Sequence, residues 1–260
     1  MTAQALLMSL DDIGQGIVLD QFVPYFQPKV AIATRQLVGT EALIRWRHPQ
    51  RGVILPAAFI PVAESHPVMR DLTDTMLEKS LAQGRIWLEQ GWPLSVSINF
   101  SADVLADIGA ADYIDARAVA HGVDAANVVV EIAESVIATH AEDIWETLMR
   151  LRAKGFELSI DDYGRGHATP QQLSGIPFTE LKIDRSCVHG AHDNAHLRAR
   201  LVEILELGRK LELKSAAIGV ETQEDWELLK DLGCDTAQGY LVAKPLPAAE
   251  IQNWYGEWTA

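Results

Sequence analysis

Cysteine is scarce in this chain. The two present among 260 residues, Cys187 and Cys234, have no metal-type spacing and form one bridge at most, which excludes a disulfide-stapled secreted scaffold and a thiolate zinc cluster. A reducing cytoplasm is the expected compartment. Basic residues are also few: 22 Lys and Arg stand against 36 Asp and Glu, a net charge of −14. Most of the surface therefore repels polyanions, and there is no footprint for a nucleic-acid polymer. The chain has no run of the ~18–20 uncharged apolar residues that a membrane span needs, and its start, MTAQALLMSLDD, lacks the basic region of a signal peptide. Linkers rich in Pro, Gly and Ser, low-complexity runs and charge blocks are missing too, which argues against several independent units.

Apolar surface, by contrast, is plentiful. Hydrophobic residues make up 48% of the chain and charged ones 22%, enough to bury a large core and to exclude disorder. Short apolar runs (FVPYFQPKV, PLSVSINF, NVVVEI, FELSID, TELKID, LKSAAIGV and CDTAQGY) alternate with amphipathic stretches, a repeating β/α rhythm. Breakers and caps predict helices over Met69–Gln90, His140–Lys154, Asn194–Leu211 and Gln223–Leu232. One domain over residues 20–260 is expected, preceded by a helical or connecting segment over residues 1–19. An α/β barrel of parallel strands is the economical closure.

In such barrels chemistry collects where the strands end at the mouth. Glu41, Asn99, Glu131, Asp161, Asp162, Lys182 and Gln238 all fall near predicted strand ends. One acid there is an ordinary helix cap, but four, with an amide and a lysine, repel one another unless a divalent cation neutralises them. Oxygen ligands without Cys or paired His select Mg²⁺, Mn²⁺ or Ca²⁺ over zinc. Adjacent Asp161 and Asp162 have the spacing to bridge two ions ~3.5–4 Å apart, as in enzymes that cleave phosphodiesters. Lys182 would hold or polarise the attacking water, and DYGRG supplies a flexible loop through Gly164 and Gly166. The basic cluster Arg45, Arg47 and Arg51 reads equally as a steering patch for an anion or as a solvated loop.

The strings YFQPKV, GTEALIRWRHPQRGVILPAAFIPVAE, SINFSA, VVVEIAES, DDYGRG, ELKIDRSCV, GVET and QGYLVAKPLP, in this order from about Phe22 to Pro247, resemble the signatures of the EAL-domain family, bacterial phosphodiesterases that open cyclic di-GMP to linear pGpG. The resemblance implies a modified (β/α)₈ TIM-type barrel with an antiparallel first strand. It implies that Glu41, Asn99, Glu131 and Asp161 ligate one Mg²⁺ or Mn²⁺, that Asp161 and Asp162 touch a second, and that calcium fills the site without supporting hydrolysis. Lys182 would contact the attacking water, Glu134 would hold the loop after Asp162, and Gln27, Leu43, Arg45, Gln238 and Pro245 would contact substrate. A homodimer formed around that loop and the helix after Lys182 is implied as well, as is attachment to or association with a regulatory module.

One departure stands out. Where the family has Ala-Glu-Gly-Val-Glu, this chain has Ala217-Ile218-Gly219-Val220-Glu221, so an isoleucine replaces a glutamate that would ligate the second metal. Glu221 does not point where residue 218 points. The expected result is a weakened phosphodiesterase, by ~10²–10⁴-fold; the alternatives are a cyclic di-GMP receptor without turnover, or a barrel metallohydrolase of another phosphate ester. Tyr163, Arg165 and the sequence HATP, starting at His167, also depart from the family pattern. His189, His192 and His196 have a spacing open to metal binding, although Asp193 as a helix cap and solvent exposure are the plainer reading. Trp87, Trp92, Trp145, Trp226, Trp254 and Trp258 are expected to pack, and Cys187 to be a small core residue.

Overall fold

The computed structural model describes residues 8–259 except 65 and 167, so the expectations for residues 1–7 and His167 lie outside the described residues. Among the described residues nine strands form one sheet: β1 (Phe22–Ala31), β2 (Leu37–His48), β3 (Gly52–Ile54), β4 (Ser95–Asn99), β5 (Val128–Ala133), β6 (Glu157–Tyr163), β7 (Glu180–Ile183), β8 (Lys214–Ile218) and β9 (Thr236–Gln238). Their order is β1-β9-β8-β7-β6-β5-β4-β2-β3, and pairing of β1 with β2 closes the ring. Strand β3 only extends β2 as a hairpin, so the barrel has eight strands. From β2 through β4 to β9 neighbours run parallel, whereas β1 is antiparallel to both β2 and β9. The fold is therefore the α/β barrel expected, with the first strand reversed.

From β4 onward the strands are short, at 3–7 residues, and where both faces are covered they are rich in β-branched residues. In β5, for example, Val128–Ile132 is wholly buried. The helices Val68–Glu89, Glu134–Ala153 and Ala195–Lys210 pack on the outside of the barrel. Three of the four expected helices match within a residue or two at each end. The fourth starts six residues before His140, directly off β5, and kinks at His140, where φ is −129°. Sequence breakers mark where that helix ends but not where it begins, because no side-chain cap precedes Glu134. Asn194, not Asp193, caps the helix at Ala195, accepting from His196 N and Leu197 N.

Helix Leu10–Val18 is opened by a capping box between Ser9 and Asp12. Its Ile13 packs with Phe22, Trp46 and Phe59 in a cluster separate from the main core. Gly16 lies so close to Phe22 and Trp46 that a Cβ there would approach their rings to 2.8–3.0 Å. Strand β2 runs past the barrel to meet this cluster, so Glu41 lies in mid-strand and not near a strand end. Inside the barrel the layers are polar. Lys29 Nζ sits 2.7 Å from Glu180, which also accepts from Ser159 Oγ at 2.9 Å.

Candidate active site

Two residues along β7 from Glu180, on the same face by strand alternation, Lys182 enters the barrel at 1% exposure. Its Nζ lies 2.7 Å from Glu131, 3.0 Å from Glu41 and 3.1 Å from Asp161. Each of these three carboxylates offers an oxygen within 4.8 Å of the others, and among the described residues they are the one such group of three. Asn99, the last residue of β4, donates Nδ2 to Glu41 Oε1 at 3.0 Å. Gln238, ending β9, donates Nε2 to Glu41 Oε2 at 2.7 Å and to Gln27 Oε1 at 3.1 Å. Seven strands, β1, β2, β4, β5, β6, β7 and β9, thus contribute to one polar cluster.

Burial raises all three carboxyls, and their neighbours sort them apart. For Glu41, Lys182 and the Gln238 and Asn99 amides outweigh burial and hold the group at about 2. Glu131 is pushed well above the usual carboxylate range by burial and then by the Glu41 charge. Asp161 rises for the same two reasons, against the pull of Lys182. Burial alone would lower Lys182, but the three carboxylates keep it an ammonium. Glu131 Oε1 is buried and has no hydrogen-bond partner among the described residues, a cost of ~1–3 kcal/mol if left so. An excess of carboxylates over ammonium, with one orphaned buried oxygen, fits a single hard divalent cation held by Glu41, Glu131, Asp161 and the Asn99 amide.

Asp161 and Asp162 together oppose Lys182, since the β6–β7 register jumps from Ile160–Leu181 to Tyr163–Ile183. This is a β-bulge, and Asp162 absorbs it with a left-handed φ of 57°, which a short polar side chain tolerates. Asp162 is pushed to about 6 by burial and by the adjacent Asp161. Its carboxylate does not join the other three. It lies 3.3 Å from Arg165, whose Nε and Nη2 bind Asp184 Oδ2 at 3.1 and 2.9 Å. Glu134 accepts the backbone N–H groups of Arg165 and Ala168 at 3.0 and 3.1 Å, which ties the loop to the helix behind it. Arg200 grips the same loop through Gly164 O.

The remaining expected residues line the rim. Leu43 borders a hollow of about 260 Å³ that opens beside Asn99. Arg45 donates to Ile44 O at 2.8 Å and lies 5.7 Å from the centre of the Tyr25 ring. Pro245 is half-buried between Ala243, whose carbonyl accepts from Gln27 Nε2, and Leu246, which bridges to Phe26. Ile218, paired in register with Gln238, turns its side chain to the same face as that amide. A second-ion site does not fit these residues: Asp162 is paired with Arg165, position 218 has no donor, and Glu221 is bound at both oxygens by Arg185 at 2.8 and 3.0 Å.

Arg165, Asp184 and Arg200 were not singled out as a unit by the sequence, although Asp184 lies within TELKID itself. His189 and His192 each direct Nδ1 to the buried Asp225, at 3.0 and 3.2 Å, and belong to no metal-ligand group among the described residues. Trp87 is buried edge-on against Phe26, and Cys187 is fully buried.

Comparison with known proteins gives these positions their context. A sequence model described as EAL domain matches residues 10–245. The bifunctional diguanylate cyclase/cyclic di-GMP phosphodiesterase MucR of Pseudomonas aeruginosa is 35% identical over 252 residues, 96% of this chain and 36% of that protein. The cyclic di-GMP phosphodiesterase PA2567 of the same organism is 32% identical over 94% of this chain and 42% of its own length. The chain thus spans well under half of either relative. A solved structure of PaMucR phosphodiesterase in its c-di-GMP complex superposes with a TM-score of 0.88 at 34% identity, covering 93% of this chain and 98% of that one. Among the described residues no helix is long and apolar enough to cross a membrane.

Proposed function

Since the chain belongs to the EAL domain family, we propose that it hydrolyses cyclic di-GMP to linear pGpG with the help of Mg²⁺ or Mn²⁺, more slowly than its relatives because of Ile218. The observation that carries this reading is the convergence of Glu41, Glu131 and Asp161 on Lys182, with Glu131 Oε1 left over for a cation. Residues 20–260 are taken as the catalytic unit, with the preceding segment docked on it through helix Leu10–Val18. Association as a homodimer, with a regulatory module, in the cytoplasm is part of the same proposal.

When bound, the ion polarises a phosphate oxygen and lowers the pKa of water. The chain's own residues do the rest. Lys182 stays protonated among carboxylates, so it acts as a donor that orients the attacking water and is not a base. Asp162, next in the chain to Asp161 and 3.3 Å from Arg165 at the mouth, is the carboxylate assigned to receive that water's proton at Oδ. Gln27 and Gln238 position donors and acceptors on the floor, Arg45 faces a phosphate, and Leu43 and Pro245 present apolar edges to base and ribose. Glu134 keeps the loop of Arg165 in place.

The second reading, a receptor that binds cyclic di-GMP without turnover, is favoured by Ile218 and by the Arg165–Asp162 pair. Measuring pGpG release by the purified chain, with Mn²⁺ and with a chelator, separates the two. Metal-dependent release that Glu41→Ala lowers by more than ~10²-fold supports the enzyme; binding with no release in any metal supports the receptor. Failure to bind cyclic di-GMP refutes both.

A further inference from the structure

The mouth carries two groups of acids, and they are neutralised differently. Glu41, Glu131 and Asp161 surround Lys182 and retain an unpaired oxygen. Asp162 and Asp184, by contrast, share the guanidinium of Arg165: Nη1 lies 3.3 Å from Asp162 Oδ2, while Nε and Nη2 lie 3.1 and 2.9 Å from Asp184 Oδ2. All three guanidinium nitrogens are therefore occupied. Asp184 is 4% exposed, and its other oxygen caps the short helix at Arg185 by accepting Ser186 N at 2.9 Å. A buried carboxylate so placed requires a cation beside it, and Arg165 is that cation.

About half of the Arg165 side chain is exposed, but the backbone that carries it is held in place. Its own N–H is bound by the buried Glu134 at 3.0 Å, and the carbonyl of the preceding Gly164 is bound by Arg200. On the far side, Ile218 brings methyl groups where a ligand would be needed, and Glu221 is held in a two-point pair by Arg185. A divalent ion at Asp162 would have to displace a guanidinium that meets carboxylates at all three nitrogens, and residue 218 would supply it no ligand.

We infer that Arg165 is a built-in cation standing in for a second divalent ion, so that this site takes one metal ion per chain and completes its positive charge with a fixed guanidinium between Asp162 and Asp184. The inference rests on the metal-dependent reading above. It applies equally to an enzyme and to a receptor.

The test counts ions without requiring turnover. The purified chain, Arg165→Ser, and Arg165→Ser combined with Ile218→Glu are titrated with Mn²⁺, and the free ion is read from its six-line electron paramagnetic resonance signal. Bound samples are examined for the exchange-coupled spectrum of two neighbouring Mn²⁺ ions, and circular dichroism checks that each variant is folded. The expected result is one bound ion and no coupled spectrum in the parent, against two ions with a coupled spectrum in the double variant. Two coupled ions in the parent would overturn the role of Arg165 while leaving the metal-dependent reading intact. A double variant that is folded and still takes one ion would overturn it as well. No bound ion in the parent would overturn both that reading and the inference built on it.

Discussion

Replacing Lys182 with methionine tests whether the central cluster is held together by its ammonium until an ion arrives. The side chain is 1% exposed and its Nζ touches three carboxylates at 2.7–3.1 Å. At an effective dielectric of ~20, each such contact is worth roughly 5 kcal/mol of Coulomb attraction. Methionine also removes the cost of burying the ammonium, so the net loss is smaller, about 3–5 kcal/mol for one partner of a buried ionic group. In a domain of this size that lowers Tm by roughly 6–20 °C. The deficit depends on pH with a definite sign. Glu131 and Asp161 already have raised carboxyls, and without Lys182 they rise further. A group whose folded pKa is raised contributes stability below its unfolded value and loses it as pH climbs through the folded one. The variant therefore falls furthest behind the parent in mildly alkaline buffer and recovers toward acid. Mn²⁺ should stabilise it more than it stabilises the parent, because the ion no longer competes with an ammonium for the same oxygens; saturation at about 100 times Kd contributes ~2.7 kcal/mol. Scanning calorimetry of both proteins across pH, in chelator and in Mn²⁺, reads all of this. Equal Tm values in chelator together with equal Mn²⁺ shifts would refute the account of the cluster.

Three further outcomes are expected. Glu134→Ala frees the amides of Arg165 and Ala168, each hydrogen bond to a charged acceptor being worth ~1.5–3 kcal/mol; hydrogen exchange over residues 164–169 should speed up, and Glu134→Gln should retain part of the protection. Lys29→Met strands Glu180, whose carboxyl is raised by burial but drawn below its usual value by Lys29. Urea unfolding should show a loss of ~3–5 kcal/mol at neutral pH, largely recovered by adding Glu180→Gln, and in the parent this stabilisation is present above the ordinary glutamate pKa and lost as pH falls through the depressed one. Arg45→Ala removes the rim cation assigned to a phosphate and should weaken cyclic di-GMP binding ~10-fold, about 1.4 kcal/mol, by calorimetry in Ca²⁺, with the melting temperature unchanged.

Much of this was legible in the chain because barrel strands are short and regular. The runs NVVVEI and TELKID place Glu131 and Lys182 within a residue or two of where they lie. Glu41 was harder to place, since its strand continues as a hairpin beyond the barrel, and hydropathy cannot separate the barrel part of such a strand from its extension. The ionic pair of Lys29 with Glu180 left no sequence signal: the partners are 151 residues apart, and only closure of the ring makes them neighbours.

The DD step shows most clearly where linear reading stops. Two consecutive strand residues point to opposite faces, so both carboxylates of Asp161 and Asp162 can reach the mouth only if the strand breaks its alternation. The jump from Ile160–Leu181 to Tyr163–Ile183 supplies that break, with the left-handed Asp162 as its cost. Adjacency in sequence suggested a bridge between two ions. In the fold the bulge aims the two acids at different cations, Asp161 at Lys182 and Asp162 at Arg165. The second partner comes from three residues further along the same loop, and its backbone is held by Glu134, the first residue of the helix that follows β5. A substitution confined to Ile218 therefore changes one wall of a site whose opposite wall is already charged, and Ile218→Glu alone should gain less turnover than the same change made together with Arg165→Ser.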